Sequence, residues 1–119
     1  MDLRKAGYEV NMYNFGQPRV GNKAYAEYAK MLLPEQYRHT NYRDIVPHIP
    51  YREIGFHHSI QEIWIDLDGN LHMCSLTDGE DAACSNQFHM WQYSGAYHTS
   101  YLGTCLGADC GHCDSITPI

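Results

Sequence analysis

The sequence of 119 residues has few charged side chains, and most of those are acidic. Charged residues make up 18% of the chain, with 8 Lys and Arg against 14 Asp and Glu, so the net charge is −6. An acidic chain repels nucleic-acid phosphates, so a nucleic-acid-binding function is not expected. No apolar run approaches the roughly twenty residues that span a bilayer, which argues against a transmembrane segment.

The first residues do not have the pattern expected of a signal peptide. The first residues, Met1 to Tyr8, carry charges, but no apolar segment follows them as it would in a signal peptide. A strand-like pattern begins almost at once instead. We therefore expect residues 1–119 to be one structural unit cut from a longer protein.

Apolar residues, tyrosines and cysteines are plentiful. The hydrophobic fraction of 44% is enough to bury a core, so disorder is not expected. Five cysteines in a short chain suit the disulfide framework of a secreted protein. Because five is odd, at least one cysteine is either a free thiol or paired with a residue outside this sequence.

Hydrophobic periodicity predicts a strand, a helix and a second strand in the first part of the chain. Alternation over Tyr8 to Phe15 predicts a buried strand. Asn22 is a suitable cap for a helix over Lys23 to Leu33, which Pro34 ends. A second strand follows at Tyr37 to Asn41, and this order and length predict a parallel βαβ unit in an α/β fold.

The second part of the chain has a different pattern of apolar and polar residues. Glu62 to Met73 predicts a hairpin with Asp68-Gly69 at the turn. Thr77 to Asp81 reads as a polar loop, and the spacing of apolar residues suggests a short terminal helix around His98 to Leu102. Internal repeats are absent, so we expect a single domain.

Three motifs carry a resemblance to a known family. They are Asn14 to Asn22 (NFGQPRVGN), Asn41 to Pro50 (NYRDIVPHIP) and Tyr97 to Cys105 (YHTSYLGTC). In this order they resemble the C-terminal half of a fungal-type (class 3) lipase, an α/β-hydrolase. The resemblance implies that Asp44 is the acid and His98 the base of a Ser–Asp–His triad, since the acid precedes the base in α/β-hydrolases.

Each of these side chains also has a purely structural interpretation. Without the resemblance, Asp44 is a loop aspartate that satisfies nearby backbone N–H groups. His57 and His58 precede Ser59 but point in alternating directions if extended, so they do not suggest a nucleophile and its base. We expect His58 to be a hydrogen-bonding structural residue, as the resemblance also implies.

The cysteines are interpreted through the same resemblance. It implies a disulfide between Cys74 and Cys84, and it pairs a cysteine like Cys105 with one near the N-terminus that this sequence does not contain. Cys110 and Cys113 have no counterpart in the family pattern. Together with His112, the last three cysteines could instead ligate zinc, although their spacing is only loosely suitable. We expect no metal and no cofactor.

A serine nucleophile is not recognisable. None of the serines lies in the Gly-X-Ser-X-Gly elbow that such lipases need. A sheet with these few parallel strands is also incomplete, and its first strand would expose an unpaired edge. The leading hypothesis is the acid/base-carrying part of a secreted carboxylic ester hydrolase of the triacylglycerol lipase type, which acts on a lipid or other ester.

Two alternatives remain open at this level. The chain could be a catalytically inactive remnant or a binding module, because it lacks the nucleophile. It could also be a fragment of a feruloyl-type esterase, since His98-Thr99-Ser100-Tyr101 resembles that version of the motif, whereas Cys84-Ser85-Asn86 resembles the lipase version.

Overall fold

Three parallel strands and one antiparallel strand form the main sheet of the computed structural model, which describes residues 1–107. The strands lie side by side in chain order: β1 (Met12–Phe15), β2 (Gln36–Asn41), β3 (Glu62–Ile65) and β4 (Leu71–Met73). β1, β2 and β3 are mutually parallel, and β4 runs antiparallel to β3. A small second sheet pairs β5 (Ser100–Tyr101) with β6 (Thr104–Cys105).

Short helices connect these strands. The α-helices in the described residues are α1 (Asp2–Lys5) and α2 (Lys23–Leu32). Short 3-10 helices lie at Val46–His48, Arg52–Ile54, Ser85–Gln87, Met90–Gln92 and Gly95–Thr99. Among residues 1–107, no helix combines the length and the apolar character needed to cross a membrane.

The predicted βαβ unit is confirmed. The Asn22 side chain accepts the Tyr25 N–H at 2.9 Å and so caps α2. α2 ends at Leu32, one residue earlier than expected, and Leu33 follows as the C-cap. The hairpin of β3 and β4 is also confirmed, with Gly69 at φ 85° in its turn.

Two predicted elements are wrong in part. The first strand starts at Met12 rather than Tyr8, and its side chains alternate between half-buried and exposed rather than being buried. Within residues 1–107, β1 pairs with β2 alone. The terminal helix is replaced by the 3-10 helix Gly95–Thr99 and the hairpin of β5 and β6. Leu102 and Gly103 have φ values of 50° and 76°, which reverse the chain and prevent a helix there. The short helix α1 was not predicted.

The apolar core is small and contains a disulfide. Cys74 and Cys84 are bonded, as the resemblance implied, and both pack with buried Trp64. Cys105 is disulfide-bonded as well, so the expectation that its partner is missing from this sequence is wrong. A bonded Cys105 cannot serve as a zinc thiolate, and the other residues of that suggested zinc site, Cys110, His112 and Cys113, lie outside the described residues.

Removal of the Cys74–Cys84 disulfide is expected to destabilise the fold. Cys74→Ala combined with Cys84→Ala frees a loop closed over a sequence separation of 10. The gain in unfolded-state freedom predicts a loss of about 2–3 kcal/mol in the free energy of unfolding. Urea unfolding followed by circular dichroism measures this, and an unchanged midpoint would show that the bond constrains nothing.

Candidate active site

Asp44 and His98, which are 54 residues apart in sequence, form a hydrogen-bonded pair. His98 Nδ1 lies 2.8 Å from Asp44 Oδ2. Because an ionised carboxylate can only accept, Nδ1 carries the proton, and the Nε2 atom is left as the acceptor of the neutral ring. The Asp44 side chain is 1% exposed and that of His98 is 42% exposed. A buried acid thus holds a solvent-accessible imidazole.

The end of β2 places the acid. Asp44 follows β2 by three residues, at the carboxyl edge where α/β sheets place ligands. Its Oδ1 accepts the Val46 N–H at 2.9 Å, and its backbone pairs with Ser94. Tyr42, two residues before Asp44, has a φ of 38°, a strained value for a side chain of this size.

Asn41, the last residue of β2, positions the segment that carries His98. Its side-chain amide donates to the carbonyl oxygens of Tyr97 at 2.9 Å and of Ser100 at 2.8 Å. These two carbonyls flank His98 on either side along the chain. One side chain of the sheet therefore fixes the turn that carries the imidazole.

Gly16, at the end of β1, forms the wall behind the imidazole. A Cβ atom added there would lie 2.7 Å from His98 Cε1 and 2.8 Å from Nδ1. Its φ of 65° is also a value that glycine adopts readily. The ring of His98 is thus confined between the backbone of β1 and the carboxylate of Asp44.

Tyr101, in β5, completes the surroundings of the acid. Its hydroxyl lies 2.5 Å from Asp44 Oδ2, the same oxygen that binds His98. Its ring is buried and meets Phe15 edge-on at 5.9 Å between centroids. Burial first, and then the bond to Asp44, raises the pKa of the Tyr101 phenol, so the hydroxyl keeps its proton.

A second histidine–carboxylate pair provides a useful contrast. His72 Nε2 lies 2.8 Å from Asp66 Oδ2, the same distance as in the first pair, and the His72 side chain is 47% exposed. The Asp66 side chain is 21% exposed, however, and sits in the turn of the β3–β4 hairpin. The two pairs therefore share a distance but differ in burial and place, since only Asp44 is fully buried and lies at the carboxyl edge of the parallel strands.

A buried ion pair braces the loop that follows Asp44. Arg19 binds both oxygens of Glu80, at 2.6 Å and 2.8 Å. It also donates to the carbonyl of His48 at 2.7 Å and to that of Pro50 at 3.0 Å. Residues 77–81 form the polar loop that the sequence predicted. Within this loop the Glu80 carboxylate is buried, because it pairs with Arg19.

Two histidines of this region are buried and neutral. His58 Nε2 bonds the Pro47 carbonyl at 2.7 Å, which confirms the structural role expected for it. His48 stacks on Tyr93 with 3.9 Å between ring centroids. Burial, followed by the nearby charge of Arg19, lowers the pKa of His48 to about 4. Burial and then the charge of Arg38 lower the pKa of His58.

Known proteins with similar sequences and folds are lipases. A sequence profile described as Lipase (class 3) matches residues 1–54. The lipase of Rhizomucor miehei is 38% identical over 98 residues, which cover 81% of this chain and 26% of the relative. A secreted mono- and diacylglycerol lipase of Malassezia globosa is 30% identical over 111 residues, covering 92% of this chain and 35% of the relative.

A solved structure agrees with the sequence relatives. It is a triacylglycerol lipase whose catalytic centre is formed by a serine protease triad. The TM-score is 0.77 at 35% identity, and the match covers 87% of this chain. The chain belongs to the class 3 lipase family. It spans about a quarter to a third of the curated lipases it matches, and 41% of this solved one.

Within this class 3 lipase chain, sequence reasoning named Asp44 and His98 but gave no role to Gly16, Asn41 or Tyr101. Each of these three residues lies inside one of the three sequence motifs. The motifs therefore contain more than Asp44 and His98: they also hold the side chains and the backbone that surround this pair. Which of these atoms meet could not be read from the sequence, because it depends on strand order.

Gly16→Ala tests the wall behind the imidazole. The new Cβ would push the His98 ring away from Asp44, and the positive φ would add a strain of about 1 kcal/mol. We expect the downfield proton resonance of the His98 Nδ1–H to disappear from the nuclear magnetic resonance spectrum.

Gly69→Ala is the matched control for this variant. Gly69 also has a positive φ, of 85°, but open space surrounds its Cα. Gly69→Ala should lower the free energy of unfolding by a similar amount but keep the downfield resonance of the His98 Nδ1–H. If both variants keep the resonance, Gly16 does not confine the ring.

Stability of the class 3 lipase chain should fall in mild acid. Because the pKa of folded His48 lies below its unfolded value of about 6.5, the unfolded chain binds the proton more readily. The stabilisation is complete above pH 6.5 and is lost as the pH falls towards 4, by up to about 3 kcal/mol. His48→Phe keeps the stacking on Tyr93 and removes this titration, so urea midpoints should depend less steeply on pH. Equal slopes would contradict the assignment.

Proposed function

We propose that residues 1–119 are the C-terminal, acid/base-carrying part of a secreted carboxylic ester hydrolase of the triacylglycerol lipase type. In this proposal Asp44 is the catalytic acid and His98 is the general base. The 2.8 Å bond between them at the carboxyl edge of the parallel strands is the observation that carries the proposal. The similar solved triacylglycerol lipase with its serine protease triad supports it.

The proposed mechanism uses the free side of the imidazole. Among residues 1–107, none forms a hydrogen bond with His98 Nε2, so this atom can accept the proton of an incoming serine hydroxyl. The serine attacks the ester carbonyl, and His98 returns the proton to the leaving alcohol. Asp44 holds the Nδ1 tautomer and stabilises the imidazolium in both steps, and water then releases the acyl group.

The nucleophile is proposed to come from a segment outside this sequence. β1 pairs with β2 on one side, and in the described residues its other edge has no strand beside it. Such an edge presents backbone N–H and C=O groups that a further parallel strand would satisfy. A strand there would deliver an elbow serine to the carboxyl edge, next to Gly16 and His98.

The surroundings of the pair suit an apolar ester. Next to Tyr101 lies a cavity of about 180 Å³, lined by Phe15, Tyr101, Leu102, Thr104 and Leu106. Apolar walls favour an acyl chain over a charged substrate. Extracellular location is part of the same proposal, and similar lipases described as secreted support it.

An inactive remnant or binding module is the second candidate. Its support is the sequence itself, in which no serine occupies an elbow. The two candidates make different predictions for a protein in which a nucleophile is supplied. The 119-residue chain alone should not hydrolyse p-nitrophenyl butyrate under either of them.

A hybrid lipase distinguishes the two candidates. This chain replaces the matching stretch of the Rhizomucor miehei lipase, and hydrolysis of p-nitrophenyl butyrate is measured. We expect turnover, and a loss of about 10³–10⁴-fold for His98→Ala and for Asp44→Asn, because each removes a triad member. A folded hybrid without turnover would support the inactive remnant.

The other histidine–carboxylate pair supplies matched controls for the hybrid. His72→Ala and Asp66→Asn remove a bond of the same length at a site away from the carboxyl edge. Both should keep full activity. Activity that survives Asp44→Asn would show that the acid lies elsewhere.

A further inference from the structure

The carboxylate of Asp44 has more partners than the imidazole alone. Oδ2 binds both His98 Nδ1, at 2.8 Å, and the Tyr101 hydroxyl, at 2.5 Å. Oδ1 binds the Val46 N–H at 2.9 Å. The two oxygens are therefore unequal: one holds the loop backbone, and the other is shared between two side chains.

The direction of the Tyr101 bond is fixed by its neighbours. A carboxylate only accepts, so the hydroxyl must donate its proton to Asp44. The same hydroxyl oxygen accepts the backbone N–H of Asn41 at 3.3 Å. A chain of donors thus runs from Asn41 through Tyr101 to Asp44, and successive bonds of this kind strengthen one another in a buried setting.

We propose that Tyr101 is a positioning residue that competes with His98 for one carboxylate oxygen and so sets how strongly Asp44 attracts the Nδ1 proton. The inference rests on the proposed function, in which the Asp44–His98 pair is catalytic. A hydrogen bond to a charged group contributes to stabilising that charge, so removal of the hydroxyl leaves more of the charge on Oδ2 for the imidazole. The ring packs edge-on against Phe15 and against His98, and a phenylalanine ring would keep both contacts.

The experiment measures the His98 Nδ1–H resonance in the isotope-labelled 119-residue chain. Tyr101→Phe should move this resonance further downfield, since the remaining donor is drawn more strongly to Oδ2. Site-specific 3-fluorotyrosine at position 101, a stronger donor, should move it in the opposite direction. An unchanged resonance in both folded proteins would overturn the proposal and leave Tyr101 a packing residue.

Tyr93→Phe is the matched control. Tyr93 is a half-buried tyrosine whose hydroxyl donates, at 2.6 Å, to the Ser85 carbonyl rather than to Asp44. Loss of the Tyr93 hydroxyl should leave the chemical shift of the His98 Nδ1–H unchanged. A shift as large as that of Tyr101→Phe would show that general loosening, rather than the shared oxygen, moves the resonance, and would overturn the proposal.

Failure of the inference is distinguishable from failure of the proposed function. Asp44→Asn should abolish the downfield resonance, because the carboxylate that attracts the proton is gone. If the resonance persists in Asp44→Asn, the pair itself is not formed and the proposed function fails. If only Tyr101→Phe has no effect, the pair stands and the role of Tyr101 fails.

Discussion

The hydrogen bond between Asp44 and His98 is the contact on which the rest of this structure depends. It joins the end of β2 to the turn at Gly95–Thr99, 54 residues later in the chain. A buried carboxylate is costly unless it is fully bonded, so removal of the imidazole would leave Asp44 short of a partner. The contact that serves the proposed chemistry therefore also holds the terminal hairpin onto the sheet.

Charged pairs, more than apolar side chains, organise the loops around this contact. Arg19 and Glu80 tie the loop after Asp44 to the segment that follows β4. A third buried carboxylate, Glu62, accepts the Thr40 hydroxyl proton at 2.6 Å within the sheet. Buried polar networks of this kind hold their side chains in fixed positions, and the loss of any one partner leaves a costly unpaired group. These networks favour a rigid sheet edge around Asp44. The buried neutral histidines beside them, His48 and His58, make the stability of this edge sensitive to acid.

Local sequence signals predicted the elements that depend on local chemistry. The cap at Asn22 and the Gly69 turn formed as expected, because each follows from neighbouring residues. The terminal helix was wrong, because the turn at Leu102 and Gly103 requires positive φ values that a periodic pattern does not reveal. Burial of Glu80 was also missed, because its partner lies 61 residues away. The motifs singled out Asp44 and His98, but the contributions of Gly16, Asn41 and Tyr101 became visible only with the strand order.

The central claim is that the free Nε2 atom of His98 accepts the proton of a serine hydroxyl carried by a strand next to β1. A crystal structure of the hybrid lipase with a phosphonate ester bound to its serine tests this most directly. The account predicts that the serine-bearing strand pairs with β1 and that the serine Oγ lies within about 3 Å of His98 Nε2. A serine bonded to any other base, or a His98 ring turned away from Asp44, would contradict it.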